Sequence, residues 1–173
     1  MSWSRLRLDR RTLGLLLVGA GSASCNLRPL HGGSQGAEVD RELASVEVSA
    51  SKDRIGQQLK NYLLDDLNPR GATELGRYEL TVRTQSSRST LIVQRSGEAT
   101  RYELILAAFF ELRGKDDGKV LYRSAAKRVA SFNLRQAPFA SQISEQNAQD
   151  RAARELSTYI RTQLALYFAT RPT

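Results

Sequence analysis

The chain has 173 residues, with 26 Lys and Arg against 18 Asp and Glu, a formal charge of +8, and one cysteine and one histidine. This length suits one domain with a short appendage, and 40% hydrophobic with 25% charged residues argues against wholesale disorder. A lone Cys and a lone His exclude a disulfide framework, a Cys-rich zinc site and a multi-His metal site. The positive surplus points to a polyanion: nucleic acid, an anionic membrane surface or another anionic partner.

Residues 1–24 carry Arg5, Arg7, Arg10 and Arg11, then an apolar run from Leu13 to Ala20, then the small residues Gly21, Ser22, Ala23 and Ser24. That is the order of a secretory signal peptide, and the run is shorter than the roughly 18 residues of a spanning helix. Cys25 follows directly. A bacterial lipoprotein signal resembles this arrangement: the thiol is diacylated, the chain is cut before the cysteine, and the new amino terminus is acylated. Ser22 stands where such signals usually carry Leu, and the plainer alternative is an ordinary signal peptide with a cysteine near its end. Several acyl chains would anchor stably, at about 0.8 kcal/mol per buried methylene. Arg10-Arg11-Thr12-Leu13 weakly resembles a twin-arginine export signal, but Gly14 departs from the usual apolar residue there and a basic signal start is the favoured reading. Four of the 26 basic and one of the 18 acidic residues lie in residues 1–24, which leaves 22 against 17, a net of +5, for the rest.

From Asn26 to about Glu42 the chain is polar and rich in glycine, and it reads as a flexible tether. Ser45–Ser49 alternates in period two and predicts a short strand. Lys52 to Leu67 predicts a helix, with Ile55, Leu59, Tyr62, Leu63 and Leu67 as its apolar stripe and Asp53 at its start. Asn68-Pro69-Arg70-Gly71 stops it. Arg77–Gln85 reads as a second strand that can continue towards Arg95, and Arg95-Ser96-Gly97-Glu98 is a turn signal. Thr100–Arg113 is a third strand, apolar on one face and carrying Ile105, Ala107 and Phe109 on the other, so it is expected to be central or covered on both sides. Lys115-Asp116-Asp117-Gly118 predicts a hairpin turn into a fourth strand, Val120–Phe132. A long helix follows from about Ser144 to Phe168, with the stripe Ala152, Leu156, Ile160, Leu164 and Tyr167 and an Asp150–Arg154 pair. The expected fold is α+β, in the order β-α-β-β-β-α. Two helices pack on one face of a four-stranded mixed, mostly antiparallel sheet.

Positive signs of catalysis are missing. His31 lies in the tether without a nucleophile or carboxylate cluster nearby, and no phosphate loop or metal spacing stands out. The reading is a non-enzyme without cofactor or metal. What remains is a set of arginines on and beside the strands: Arg77, Arg83, Arg88, Arg95, Arg101, Arg113 and Arg123. Their planar forks suit phosphate, and Arg95 and Arg101 flank one turn, where they can converge. The plain alternative is that surface strands carry charge to avoid aggregation.

Several short stretches together resemble the lipopolysaccharide-assembly lipoprotein family LptE, in its alphaproteobacterial form. They are Cys25-Asn26-Leu27-Arg28-Pro29-Leu30-His31-Gly32, Arg95-Ser96-Gly97 with Tyr102, Ala137-Pro138-Phe139-Ala140, and Arg151-Ala152-Ala153-Arg154-Glu155-Leu156. The resemblance implies a Gram-negative outer-membrane lipoprotein that faces the periplasm, anchored through Cys25. It implies two partners, an LptD-type β-barrel whose lumen it plugs and lipopolysaccharide, whose phosphates the hairpin Arg95 contacts; Arg101 beside it is the second expected contact. A further basic residue of the family, in the loop before the last helix, is replaced here by neutral Gln142 or a neighbour. The division expected is signal 1–24, lipidated tether 25–42 and LptE-like domain 43–173. Two other readings compete. One is a generic envelope lipoprotein that scaffolds a different protein. The other is a sheet-type RNA binder, which lacks the aromatic ribonucleoprotein pattern here and which an export signal would keep from nucleic acid.

Overall fold

The computed structural model describes residues 34–71, 76–93, 99–133 and 137–171. Residues 1–24, expected as a signal segment, and Cys25, His31 and Arg95 lie outside the described residues. The elements are α1 (Ser34–Ala44), β1 (Val46–Ala50), α2 (Arg54–Leu67), β2 (Tyr78–Val93), β3 (Ala99–Gly114), β4 (Val120–Asn133) and α3 (Pro138–Thr170). The strands form one sheet in sequence order. β1 runs parallel to β2, reached through the α2 crossover, and β2-β3-β4 is an antiparallel meander.

Alternation sorts the strands into two faces. Tyr78, Leu80 and Val82 of β2 and Leu104, Leu106, Ala108, Phe110 and Leu112 of β3 are buried towards the helices. α2 contributes Leu59, Leu63 and Leu67, and α3 contributes Ala152, Leu156, Ile160 and Leu164 to the same core. The expected stripes are therefore the buried ones, with Ile55, Tyr62 and Tyr167 at their margins.

Local chemistry sets the boundaries. Asp53 caps α2 by accepting from the Gly56 N–H at 3.4 Å. A Cβ on Gly56 would lie 2.4 Å from the Ser51 carbonyl oxygen, so only glycine lets the chain enter the helix this closely. The β3–β4 turn needs Gly118 at φ +65°.

Three features differ from the sequence expectation. Residues 34–42, expected as tether, are helical in α1. Of the glycines that suggested a tether only Gly36 lies in this helix, and packing overrides its polar composition: Val39 and Leu43, one helical turn apart, are buried in the main core, and Asp40 faces Arg161 at 3.8 Å. Next, α3 begins at Pro138 rather than near Ser144, because proline at the first helical position loses no hydrogen bond. Gln142 is therefore in a helix, and exposed. Finally, Asp150 pairs with Arg54 of α2 at 3.4 Å instead of Arg154, whose guanidinium lies 4.5 Å from the Tyr62 ring centroid.

The two ends of the sheet are built differently. β1 pairs only with Tyr78–Val82, so one end has four strands under all three helices. The other has three strands, and a separate cluster of Leu104, Phe132 and Ala148, flanked by Tyr102, packs them on the start of α3.

Candidate functional site

The face of the sheet turned away from the helices carries the chemistry. β3 is central, as expected, but no described residue covers this second face: Phe109 is 52% and Val129 49% exposed.

The arginines sort by strand parity. Even-numbered Arg88 points to the helix side, where it pairs with Glu145 of α3 at 3.1 Å and lies 5.3 Å from the Tyr102 ring centroid. It braces the three-stranded end. Arg77, just before β2, pairs with Glu42 of α1 at 3.1 Å. Those two arginines are structural.

Odd-numbered Arg83, Arg113 and Arg123 project to the open face. Glu111 holds two of them: its carboxylate accepts from Arg123 Nε at 2.6 Å and pairs with Arg113 at 2.5 Å. The Arg123 hydrogen bond, with Arg113 behind it, holds the Glu111 carboxyl below its ordinary range, so it is ionised at neutral pH. Arg113 also donates to the Gly118 carbonyl at 3.3 Å, which ties it to the hairpin turn. In that turn Asp117 is lowered too, chiefly by the Lys119 backbone N–H. Around Glu111 lies an open depression of about 670 Å³, lined among others by Thr81, Arg83, Phe109, Arg113, Arg123 and Ala125.

Arg101 is exposed near the start of β3, opposite Asn133 of β4, and has no ion pair with a described residue. Its expected convergence with Arg95 falls outside the described residues. Sequence reasoning found the arginines but not their grouping. Cross-strand register puts Glu111 opposite Arg123, and Phe109 opposite Arg83 on one side and Ala125 on the other; no spacing along the chain encodes that.

Away from this face, burial and then the Glu42 carboxylate raise the Tyr78 phenol, whose oxygen accepts from Arg171 at 3.2 Å. This group ties the end of α3 to α1 and the start of β2. Among the described residues no cluster of His, Cys, Asp or Glu is suited to a metal, and no helix is long and apolar enough to cross a membrane.

A family model described as LptE, lipopolysaccharide-assembly, matches residues 43–164. Three solved structures share the fold. A protein described as a lipoprotein from Caulobacter crescentus is 24% identical with a TM-score of 0.66, over 78% of this chain and 98% of that one. Rare lipoprotein B from Shewanella oneidensis is 16% identical with a TM-score of 0.54, over 70% and 93%. A minor lipoprotein from Acinetobacter baumannii is 21% identical with a TM-score of 0.51, over 70% and 88%. No curated protein sequence matches the chain.

Proposed function

The chain belongs to the lipopolysaccharide-assembly family LptE, and from that premise we propose that it works by binding and by plugging, without making or breaking bonds. In this reading the mature protein starts at an acylated Cys25 and is held at the outer membrane, facing the periplasm. It sits in the lumen of an LptD-type β-barrel. There the β2–β3 connection presents Arg95, with Arg101 beside it, to lipopolysaccharide phosphates on their way to the outer leaflet.

The observation that carries this reading is the family match over residues 43–164, which spans β1 to the last turns of α3. The physics agrees with it. Arg101 is exposed and unpaired among the described residues, so its fork is available to an anion. Inside a barrel, water is partly excluded and an arginine–phosphate pair gains strength from the lower dielectric. A wide barrel needs a filling to stay closed.

Arg95→Glu tests the site. Lipopolysaccharide binding is expected to fall while the circular dichroism and melting temperature stay as in the parent; unchanged binding by a folded variant removes Arg95 as a contact. Co-purification in mild detergent tests the partner. A large β-barrel protein should accompany the chain, whereas isolation without one favours a scaffold for another envelope protein. Mass spectrometry of the native protein should show a triacylated Cys25 at the amino terminus, and an unmodified cysteine removes the anchor.

A further inference from the structure

We propose that the open face of the sheet holds a second anion site, built by Arg83, Arg113 and Arg123 around Phe109, and that its ligand is a phosphate monoester carried on a sugar. The site lies ten residues along β2 from the end of the strand at Val93, about 34 Å at the usual rise per residue. It therefore does not depend on the role given to Arg95.

The charge balance favours a dianion. Three guanidiniums line the depression against one carboxylate, Glu111, which is ionised and fully engaged by Arg113 and Arg123. Among the residues that line the depression that leaves +2, with Glu79, the register partner of Arg113, at its edge, and a phosphate monoester carries about −1.5 to −2 at neutral pH. The donors are also positioned beforehand. Glu111 fixes one edge of two forks, yet Arg113 and Arg123 remain 45% and 68% exposed, with donors to spare from the five each carries. Arg83 forms no ion pair with a described residue and supplies a third fork. Glu111 already shows one carboxylate bridging two forks with its two oxygens; a phosphate monoester adds a third oxygen and a second charge, enough to reach the free edges of all three arginines, so this cluster suits phosphate better than an acidic side chain.

The floor indicates what carries the phosphate. Phe109, half open to water, gives the depression an apolar floor among these charges. The depression is open to solvent on one side, so it does not enclose an acyl chain. A sugar ring, with one apolar face and a polar rim, matches Phe109 and Ala125 beneath a rim of arginines.

The test follows the arginine side-chain Nε–Hε resonances of the full chain during titration with glucosamine 1-phosphate, inorganic phosphate and glucosamine. Saturable shifts confined to Arg83, Arg113 and Arg123 are expected with the sugar phosphate, binding about tenfold weaker with phosphate alone, and none with glucosamine. Arg83→Gln and Arg123→Gln should each weaken binding about tenfold, Phe109→Ala should bring the sugar phosphate down to the level of phosphate, and Lys119→Gln should change nothing. Vesicles containing lipid A separate the sources. Competition by vesicles for the bound sugar phosphate shows that a membrane glycolipid can supply the group, and its absence together with soluble binding assigns a free phosphosugar; both support the site. Unsaturable shifts, full binding by Arg83→Gln, equal damage from Lys119→Gln, or tighter binding of a polyglutamate peptide overturns it.

Discussion

Replacing Phe132 by alanine should loosen one end of the sheet while leaving the other end's own packing intact. Phe132 is 6% exposed and stacks on Tyr102 with centroids 5.7 Å apart, against Leu104 and Ala148. Burying such a ring contributes about 1.5–3 kcal/mol, and the cavity left behind adds to the loss. The cluster is small and lies at a free end where neighbours can relax, so the cost sits at the low end of the phenylalanine range, about 3 kcal/mol. That is roughly a hundredfold in an opening equilibrium. Amide hydrogen exchange reads it directly. Residues 86–91 and 101–104 should lose about a hundredfold in protection, and global unfolding should fall by the same free energy, since the contact is lost in both openings. Leu156→Ala is the partner experiment. Leu156 is fully buried in the main core, so its loss should lower global stability by about 2–5 kcal/mol while the three-stranded end keeps its protection until global unfolding takes over. Equal loss of protection at that end in both variants would mean the two clusters open as one unit, and no loss there in Phe132→Ala would refute the assignment of the ring.

Two further outcomes follow from the same geometry. Gly56→Ala gains about 1 kcal/mol of helix propensity but forces a Cβ to 2.4 Å from the Ser51 carbonyl oxygen, so urea denaturation should show a net loss of about 1–2 kcal/mol; a stabilised variant would refute the close approach. Glu111 has a folded-state pKa below its ordinary 4.5, so its contribution to stability is complete above that value and is lost as pH falls through the folded-state one. The melting-temperature gap between the parent and Glu111→Gln should be constant from neutral pH down to about 5 and close in stronger acid; a gap that widens in acid would refute the pairing with Arg123 and Arg113.

The periodic signals were the legible ones. The stripe Leu59, Leu63, Leu67 and the even positions of β3 are written in the chain at spacings of four and two, and they became the core. The short crossover and meander made the mixed sheet readable as well. α1 was not legible, because its helical state rests on tertiary contacts: Val39 and Leu43 in the core, Glu42 paired with Arg77, and Asp40 facing Arg161 more than a hundred residues away. The Asp150–Arg154 pair failed for the same reason: both side chains found partners on α2, which local spacing cannot reveal. At the open face, charge type was legible and grouping was not. Arg83, Arg113 and Arg123 sit on three different strands, and only register brings them around one carboxylate and one ring.

The unequal ends of the sheet give the domain a taper. The broad end carries one more strand, about 4.8 Å of sheet width, and the packed thickness of two more helices, each about 10 Å across. A tapered body enters a conduit narrow end first and stops where its girth meets the wall. Seated in a lumen, this domain would carry its own polarity and its own stop in its shape. The slender end, where Val93 of β2 faces Ala99 of β3, would lead, and β1 with α1 and α2 would form the shoulder that sets the depth.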